Sequence, residues 1–247
     1  MLEKDFLESI KPDHIFDGGD LDCGSGLVLL LRENMMQVPV GGILEMRSRE
    51  ATVADDLPPW CRMVGHDYLG KLDASKYARY FIRKKSHSKE EEKNLKGDKN
   101  KAKSYEWRAR TRSTGHLKST VYFRNFSFDV GQPASFEEKD KYPSAIEYLI
   151  GSLSASLSTG FITESSMFGL QIDDIEISVR CKLNNILAHL GIEEGDPSIA
   201  LIELKCFIST MEDENKVKEV WNKTLKQSPV LATLSKSTEI IIKMNVV

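Results

Sequence analysis

Residues 86–103, reading SHSKEEEKNLKGDKNKAK, hold a single large apolar side chain, Leu95. Such a stretch buries too little surface to offset the entropy of ordering its backbone. It cannot run through a hydrophobic core, so it divides the 247-residue chain into two parts, each long enough to build a core of its own. The organisation expected is a first domain over residues 1–85, a flexible charged linker over 86–103 and a second domain over 104–247. Six lysines against four carboxylates leave the linker at +2. A solvated linker accounts for that balance, and a basic docking tether is the alternative.

The whole chain carries a formal charge of −3, so no general field draws it to nucleic acid or membrane. Direct nucleic-acid binding is not expected. The N-terminal MLEKDFLESIKPDHI spreads charges throughout, unlike a secretory leader. The longest wholly aliphatic run, Leu27 to Leu31, is far short of a membrane span. Cys23, Cys61, Cys181 and Cys206 lack the close spacing of a disulfide framework or a zinc site. A cytoplasmic protein without metal or cofactor is the expectation.

Hydrophobic periodicity sketches the elements. In the first domain an extended piece, Ile15 to Leu21, leads through a Gly-rich turn into a helix with Leu27, Leu30, Leu31 and Met35 at helical spacing. Ile43 to Arg47 reads as a strand. Asp55 or Asp56 is expected to cap a second helix with Pro58 and Pro59 in its first turn, and Tyr77 to Lys85 alternates as a closing strand. In the second domain, extended runs at Tyr105 to Arg112 and Lys118 to Val130 precede a long helix, about Ser144 to Phe168. Its small residues on both sides predict a largely buried helix. Strands at Leu170 to Lys182 and Ile199 to Met211, a charged helix over Asp213 to Gln227 and a strand over Glu239 to Val246 complete an α+β pattern.

Cys23 is the first chemical candidate. It stands in DGGDLDCGSGLVLLLR just ahead of an apolar helix, beside Gly24, Ser25 and Gly26. The positive end of the helix dipole and free backbone N–H groups there favour thiolate, the form that attacks sulfur. A small buried thiol is the alternative reading. Cys61, between Trp60 and Arg62, reads as packing. His66 suits the C-terminal end of the second helix and has no second metal ligand at useful spacing.

The stretch Asp17 to Lys85 resembles the TusA (SirA-like) family of sulfur carriers, whose hallmark is Asp-x-x-Gly-Leu-x-Cys-Pro-x-Pro opening the first helix. Asp17, Leu21 and Cys23 fall on that pattern, and VPVGGILEMRSREATVADDLPPWCRMVGHDYL is similar to the family's strand and second helix. The resemblance implies a small two-layer α/β sandwich with Cys23 as the persulfide-carrying residue, supported by the loop residues Asp17, Gly24, Ser25 and Gly26. The family's Cys-Pro-x-Pro is here Cys23-Gly24-Ser25-Gly26, a looser turn without the prolines that preset a helix start.

The second domain resembles the OsmC/Ohr family through VYFRNFSFDVGQP, KYPSAIEYLIGSLSASLSTGF and LKQSPVLATL. Glu147 falls on the family carboxylate, and Ser156 and Ser228 fall on its two cysteines. Thiol peroxidase chemistry requires a thiolate and a second thiol for the disulfide. A serine hydroxyl stays protonated near neutral pH and forms no disulfide, so peroxide reduction is not expected. No nucleophile elbow surrounds Ser156, and Cys181 and Cys206 read as strand packing residues. What the resemblance implies is an α+β domain with a long buried central helix, a dimerisation scaffold and a degenerate pocket near Glu147, Ser156 and Ser228. Glu147 is either a pocket group or a first-turn carboxylate favoured by the dipole. The combined expectation is a sulfur-trafficking homodimer with sulfur-donor and sulfur-acceptor protein partners. A non-catalytic dimeric module binding a small molecule or a partner is the alternative.

Overall fold

The computed structural model describes residues 4–22, 26–85, 89–133 and 141–247. The chain divides into two compact units, one of residues 1–105 with 165–170, the other of 106–164 with 171–247.

In the first unit a four-stranded sheet runs in the order β1-β2-β4-β3, from β1 (His14–Asp17), β2 (Ile43–Ser48), β3 (Asp67–Asp73) and β4 (Ala78–Arg83). β1 and β2 are parallel, and the other two pairings are antiparallel. The helices are α1 (Lys4–Ser9), α2 (Leu27–Gln37) and α3 (Val53–Val64). In α2, Leu27, Leu31 and Met35 recur every fourth residue and are buried. They join Leu44 and Met46 of β2, Leu57, Trp60 and Cys61 of α3, and Tyr80 and Ile82 of β4 in one core cluster. Each such side chain contributes about 1.5–3 kcal/mol on burial. Leu7 of α1 packs with Leu69, Leu72 and Phe81 in a second, smaller cluster.

Two capping arrangements hold the helices. The ammonium of Lys84, which is fully buried, donates to the carbonyl oxygens of Met35 (2.7 Å) and Val38 (2.9 Å). A buried cation needs such partners, and the carbonyl end of a helix favours positive charge. α3 starts earlier than its aspartates suggested: Thr52 precedes it, Asp55 and Asp56 lie in its first turn, and Pro58 and Pro59 sit inside it. It ends at Gly65, with φ 79°, a left-handed turn that a side chain would strain. The His66 N–H donates to the Cys61 carbonyl at 2.9 Å.

The charged stretch expected to be a flexible linker contains α4 (Lys89–Lys103). Lysine and glutamate are good helix formers and no proline interrupts the run. Asp98 pairs with Arg32, and Lys99 with Glu33 at 3.0 Å, so α4 lies along α2.

In the second unit a meander of β5 (Arg110–Gly115), β6 (Lys118–Phe123) and β7 (Phe126–Val130) forms one sheet. The run from Lys118 to Val130, expected as one strand, is thus a hairpin turning at Arg124 (φ 48°) and Asn125, with Phe123 opposite Phe126. A two-residue turn changes the alternation, so Val121, Phe123, Phe126 and Phe128 share a face that uninterrupted alternation would have split. β8 (Asp174–Leu183), β9 (Ile199–Ser209) and β10 (Glu239–Val246) form a second sheet in the order β10-β9-β8, with β9 and β10 parallel. The helices are α5 (Ala145–Met167), a short α6 (Ile186–His189), α7 (Glu214–Gln227) and α8 (Pro229–Leu234).

α5 departs from the expectation of a largely buried helix. Leu153, Leu157 and Phe161 are fully buried, with Phe161 edge-on to Trp221 of α7 at 5.7 Å. Gly151, Ser152, Ala155 and Thr159 on the other side are exposed. Small residues allow close packing but do not supply a covering layer, and none of the described residues buries that face. By length and composition α5 could also cross a bilayer, which counting unbroken aliphatic runs had missed because serines interrupt it.

Candidate functional site

Cys23, Gly24 and Ser25 lie outside the described residues; the chain on both sides of them is described. Asp17 Oδ1 accepts the Gly19 N–H at 2.8 Å, closing a local turn at the end of β1. Gly18 N–H donates to the Arg47 carbonyl (2.8 Å), and Arg49 N–H to that of Gly19 (2.9 Å), tying the loop to the end of β2. A Cβ on Gly18 would stand 2.5 Å from Leu27 Cδ1, so glycine lets the loop approach α2. Across the gap, Leu27 N–H reaches the Asp22 carbonyl at 3.4 Å. Gly26, at φ 101°, precedes the helix and gives it no side-chain cap. Among the described residues no side chain caps the N-terminus of α2. Asp17 and Gly26 flank the position of Cys23 along the chain.

The described cysteines are of another kind. Cys61 and Cys206 are fully buried, and burial pushes both thiols up to about 12. Burial also raises Cys181. All three are reduced and lie on α3, β8 and β9, away from helix starts. His66 packs edge-on to Trp60 with ring centres 6.2 Å apart, and its backbone N–H helps cap α3.

In the second unit, Ser156 and Ser228 come together: their hydroxyl oxygens lie 2.9 Å apart. α5 places Ser156 one residue before the buried Leu157, and the junction between α7 and α8 places Ser228. Ser228 is buried and caps α8, its Oγ accepting the Leu231 N–H at 3.2 Å, with Pro229 preset in the first helical position. This hydroxyl pair can form a hydrogen-bonded latch but cannot exchange electrons.

Glu147 is not part of that pair. It lies nine positions before Ser156 on the same helix, about 13 Å along the axis at 1.5 Å per residue. It is exposed, and its Oε2 accepts from the Ser144 N–H (2.6 Å) and hydroxyl (2.8 Å), while the Ser144 Oγ accepts the Glu147 N–H at 3.3 Å. This is a capping box, one of the two readings the sequence left open. Its signal, Ser-x-x-Glu ahead of an apolar run, stands in the sequence.

A fully buried carboxylate is Glu45 of β2, which sequence reading passed over as an ordinary strand residue. Burial would raise its pKa, but hydrogen bonds from Arg79 (2.6 and 3.0 Å) and Arg47 (2.8 Å) outweigh that and hold the carboxyl below its usual range.

Comparison with known proteins follows the same division. Residues 138–243 match the family model described as OsmC-like protein. The first part of the chain is similar to the sulfur carrier protein TusA of Pseudomonas putida strain F1, 29% identical over 80 residues, which are 32% of this chain and 99% of that protein. It is also similar to TusA of Pseudomonas syringae pv. tomato, 28% identical over 80 residues, covering 32% of this chain and 94% of the relative. Among solved structures, an OsmC-like protein from Mycoplasma pneumoniae aligns with a TM-score of 0.51 and 16% identity over 58% of this chain and 99% of its own, a likeness of fold. The chain is a fusion of a TusA-like N-terminal region with an OsmC-like domain.

Proposed function

We propose that this protein traffics sulfur on Cys23 in the cytoplasm and that its OsmC-like half is a redox-inactive homodimerisation domain. The observation that carries the first part is the similarity to TusA sulfur carriers over nearly their whole length, with a cysteine immediately ahead of α2. The transfer conserves atoms and electrons. The Cys23 thiolate attacks the outer sulfur of a donor protein's persulfide, the donor's S–S bond breaks, and the donor cysteine leaves as thiolate. The persulfide on Cys23 then passes its outer sulfur to an acceptor in the same way. The positive end of the α2 dipole supports thiolate at that position, with Asp17, Gly24, Ser25 and Gly26 as the loop around it. Incubation with a persulfide donor followed by intact mass measurement tests it. A gain of about 32 Da, one sulfur atom, that disappears in Cys23→Ser is expected. No adduct, or one that survives the substitution, removes the proposal.

The exposed small-residue face of α5 supports the second part. So does the β5-β6-β7 sheet, none of whose strand residues is buried within the chain, since a three-stranded sheet needs a covered apolar face to be stable. A second copy supplies such cover in the proposed homodimer. Sedimentation should give twice the chain mass, and Ala155→Arg, on the exposed face of α5, should shift the protein to monomer.

The Ser156–Ser228 contact favours a second reading, in which the OsmC-like half binds a small molecule without chemistry at a degenerate pocket near these serines. A copurifying ligand together with an unreactive Cys23 would replace the carrier reading by this one.

A further inference from the structure

By itself α4 has little to hold it helical. Its sequence offers one large apolar residue, Leu95, and Gly97 stands in its interior. A Cβ on Gly97 would meet nothing within 4 Å, so no close packing calls for glycine there. Glycine weakens a helix relative to alanine, and helices of about 12–15 residues are marginal alone in water. The order of α4 therefore depends on what it lies against, which is α2.

The match between the two helices is specific. Arg32 pairs with Asp98, and Glu33 Oε1 accepts from Lys99 Nζ at 3.0 Å. Base then acid on α2 thus meets acid then base on α4. Exchanging the two residues on either helix would set like charges against each other. Leu29 and Met36, three or four positions from both Arg32 and Glu33, share their side of α2 and are half-buried.

Neither pair is sealed from water. The side chains of Lys99 and Glu33 are 40% and 51% exposed, and those of Arg32 and Asp98 are 21% and 39% exposed. Ion pairs this open contribute little each, and salt screens them. The opposite side of α2 is held differently. Leu27, Leu31 and Met35 lie in the apolar core, where charge screening has no hold.

We propose that α4 is a reversible ionic strap on α2. Closed, Asp98 and Lys99 hold Arg32 and Glu33; open, α4 unwinds and frees that side of α2 while the core side stays packed. The strap is read from α2 and α4 alone, so it stands or falls apart from the Cys23 carrier reading.

The test is amide hydrogen exchange of the full-length chain, followed residue by residue by NMR. Protection at residues 95–103 should fall at least fivefold between about 0.01 M and about 1 M KCl, as the screening length drops from about 30 Å to about 3 Å. At low salt, Arg32→Glu should lower it at least fivefold, and the double variant Arg32→Glu/Asp98→Arg should bring it back to within twofold of the unaltered chain. Gly97→Ala should raise it at least threefold. Protection at Leu31 and Met35 should stay within twofold throughout. Smaller changes in α4, exchange there at unstructured-chain rates already at low salt, or a double variant that leaves it unprotected each overturn the strap. So does a loss of protection at Leu31 and Met35 together with α4, which is unfolding of the unit and not release of one helix.

Discussion

The hydroxyl oxygens of Ser156 and Ser228 stand 2.9 Å apart across 72 positions of sequence. Two elements far apart in the sequence, α5 and the junction of α7 with α8, thus present a pair of Oγ atoms at hydrogen-bonding distance. Ser228 carries the heavier structural load, being buried and also capping α8.

The same placement suits a disulfide, which needs Cβ atoms about 3.5–4.5 Å apart. The double variant Ser156→Cys/Ser228→Cys is expected to oxidise to an intramolecular disulfide. Mass measurement before and after oxidation, without alkylation of the oxidised form, reads this directly. Two thiols that stay free in oxidant would show that the helices do not hold this geometry.

Removing either hydroxyl should have unequal effects. Ser156→Ala loses one hydrogen bond and should destabilise by about 1 kcal/mol. Ser228→Ala loses that bond and the cap, for about 2 kcal/mol in all. Urea denaturation of the two variants ranks them, and equal midpoints would contradict the capping role.

Native-state alkylation should separate the cysteines. Cys61 and Cys206, with thiols pushed up to about 12 by burial, remain protonated and shielded at pH 7–9 and should resist iodoacetamide until the protein unfolds. Cys23 is expected to react first, and peptide mapping identifies the order. Modification of Cys61 ahead of Cys23 would rule out the proposed thiolate.

Glu45 makes stability depend on acid. Its folded-state pKa lies below the ordinary value because Arg79 and Arg47 outweigh burial. Its contribution is therefore complete above the unfolded carboxylate pKa of about 4.3 and is lost as pH falls through the lower folded value. Glu45→Gln should destabilise by about 2–3 kcal/mol at pH 7, with the gap to the unaltered protein closing toward pH 3. Thermal melts across pH 3–7 measure the gap, and a constant difference would contradict the linkage.

At the head of α5, Glu147→Gln should leave stability nearly unchanged, since glutamine also closes a capping box. Glu147→Ala should lose about 1 kcal/mol. A large loss in the Gln variant would instead point to a need for the negative charge.

Local patterns determined much of this architecture. The period of Leu27, Leu31 and Met35 specifies α2, Glu239 to Val246 alternates as the strand β10, and Ser144-x-x-Glu147 announces the start of α5. These signals rest on neighbours within a few residues, so one sequence suffices to read them. The positions Ser156 and Ser228 were legible too, although their contact was not, because it depends on how α5 meets the junction of α7 and α8.

Other features arose only with tertiary structure. Alternation through Lys118 to Val130 could not reveal a two-residue turn that moves Phe126 and Phe128 onto the face of Val121 and Phe123. Glu45 and Lys84 look like ordinary surface charges in the sequence, because their burial depends on Arg79 and on the carbonyls of Met35 and Val38, which strand pairing and helix ends bring from elsewhere. Small residues around α5 suggested a largely buried helix. The described residues bury a single face of α5, since small side chains permit close packing without themselves supplying the surface that covers them.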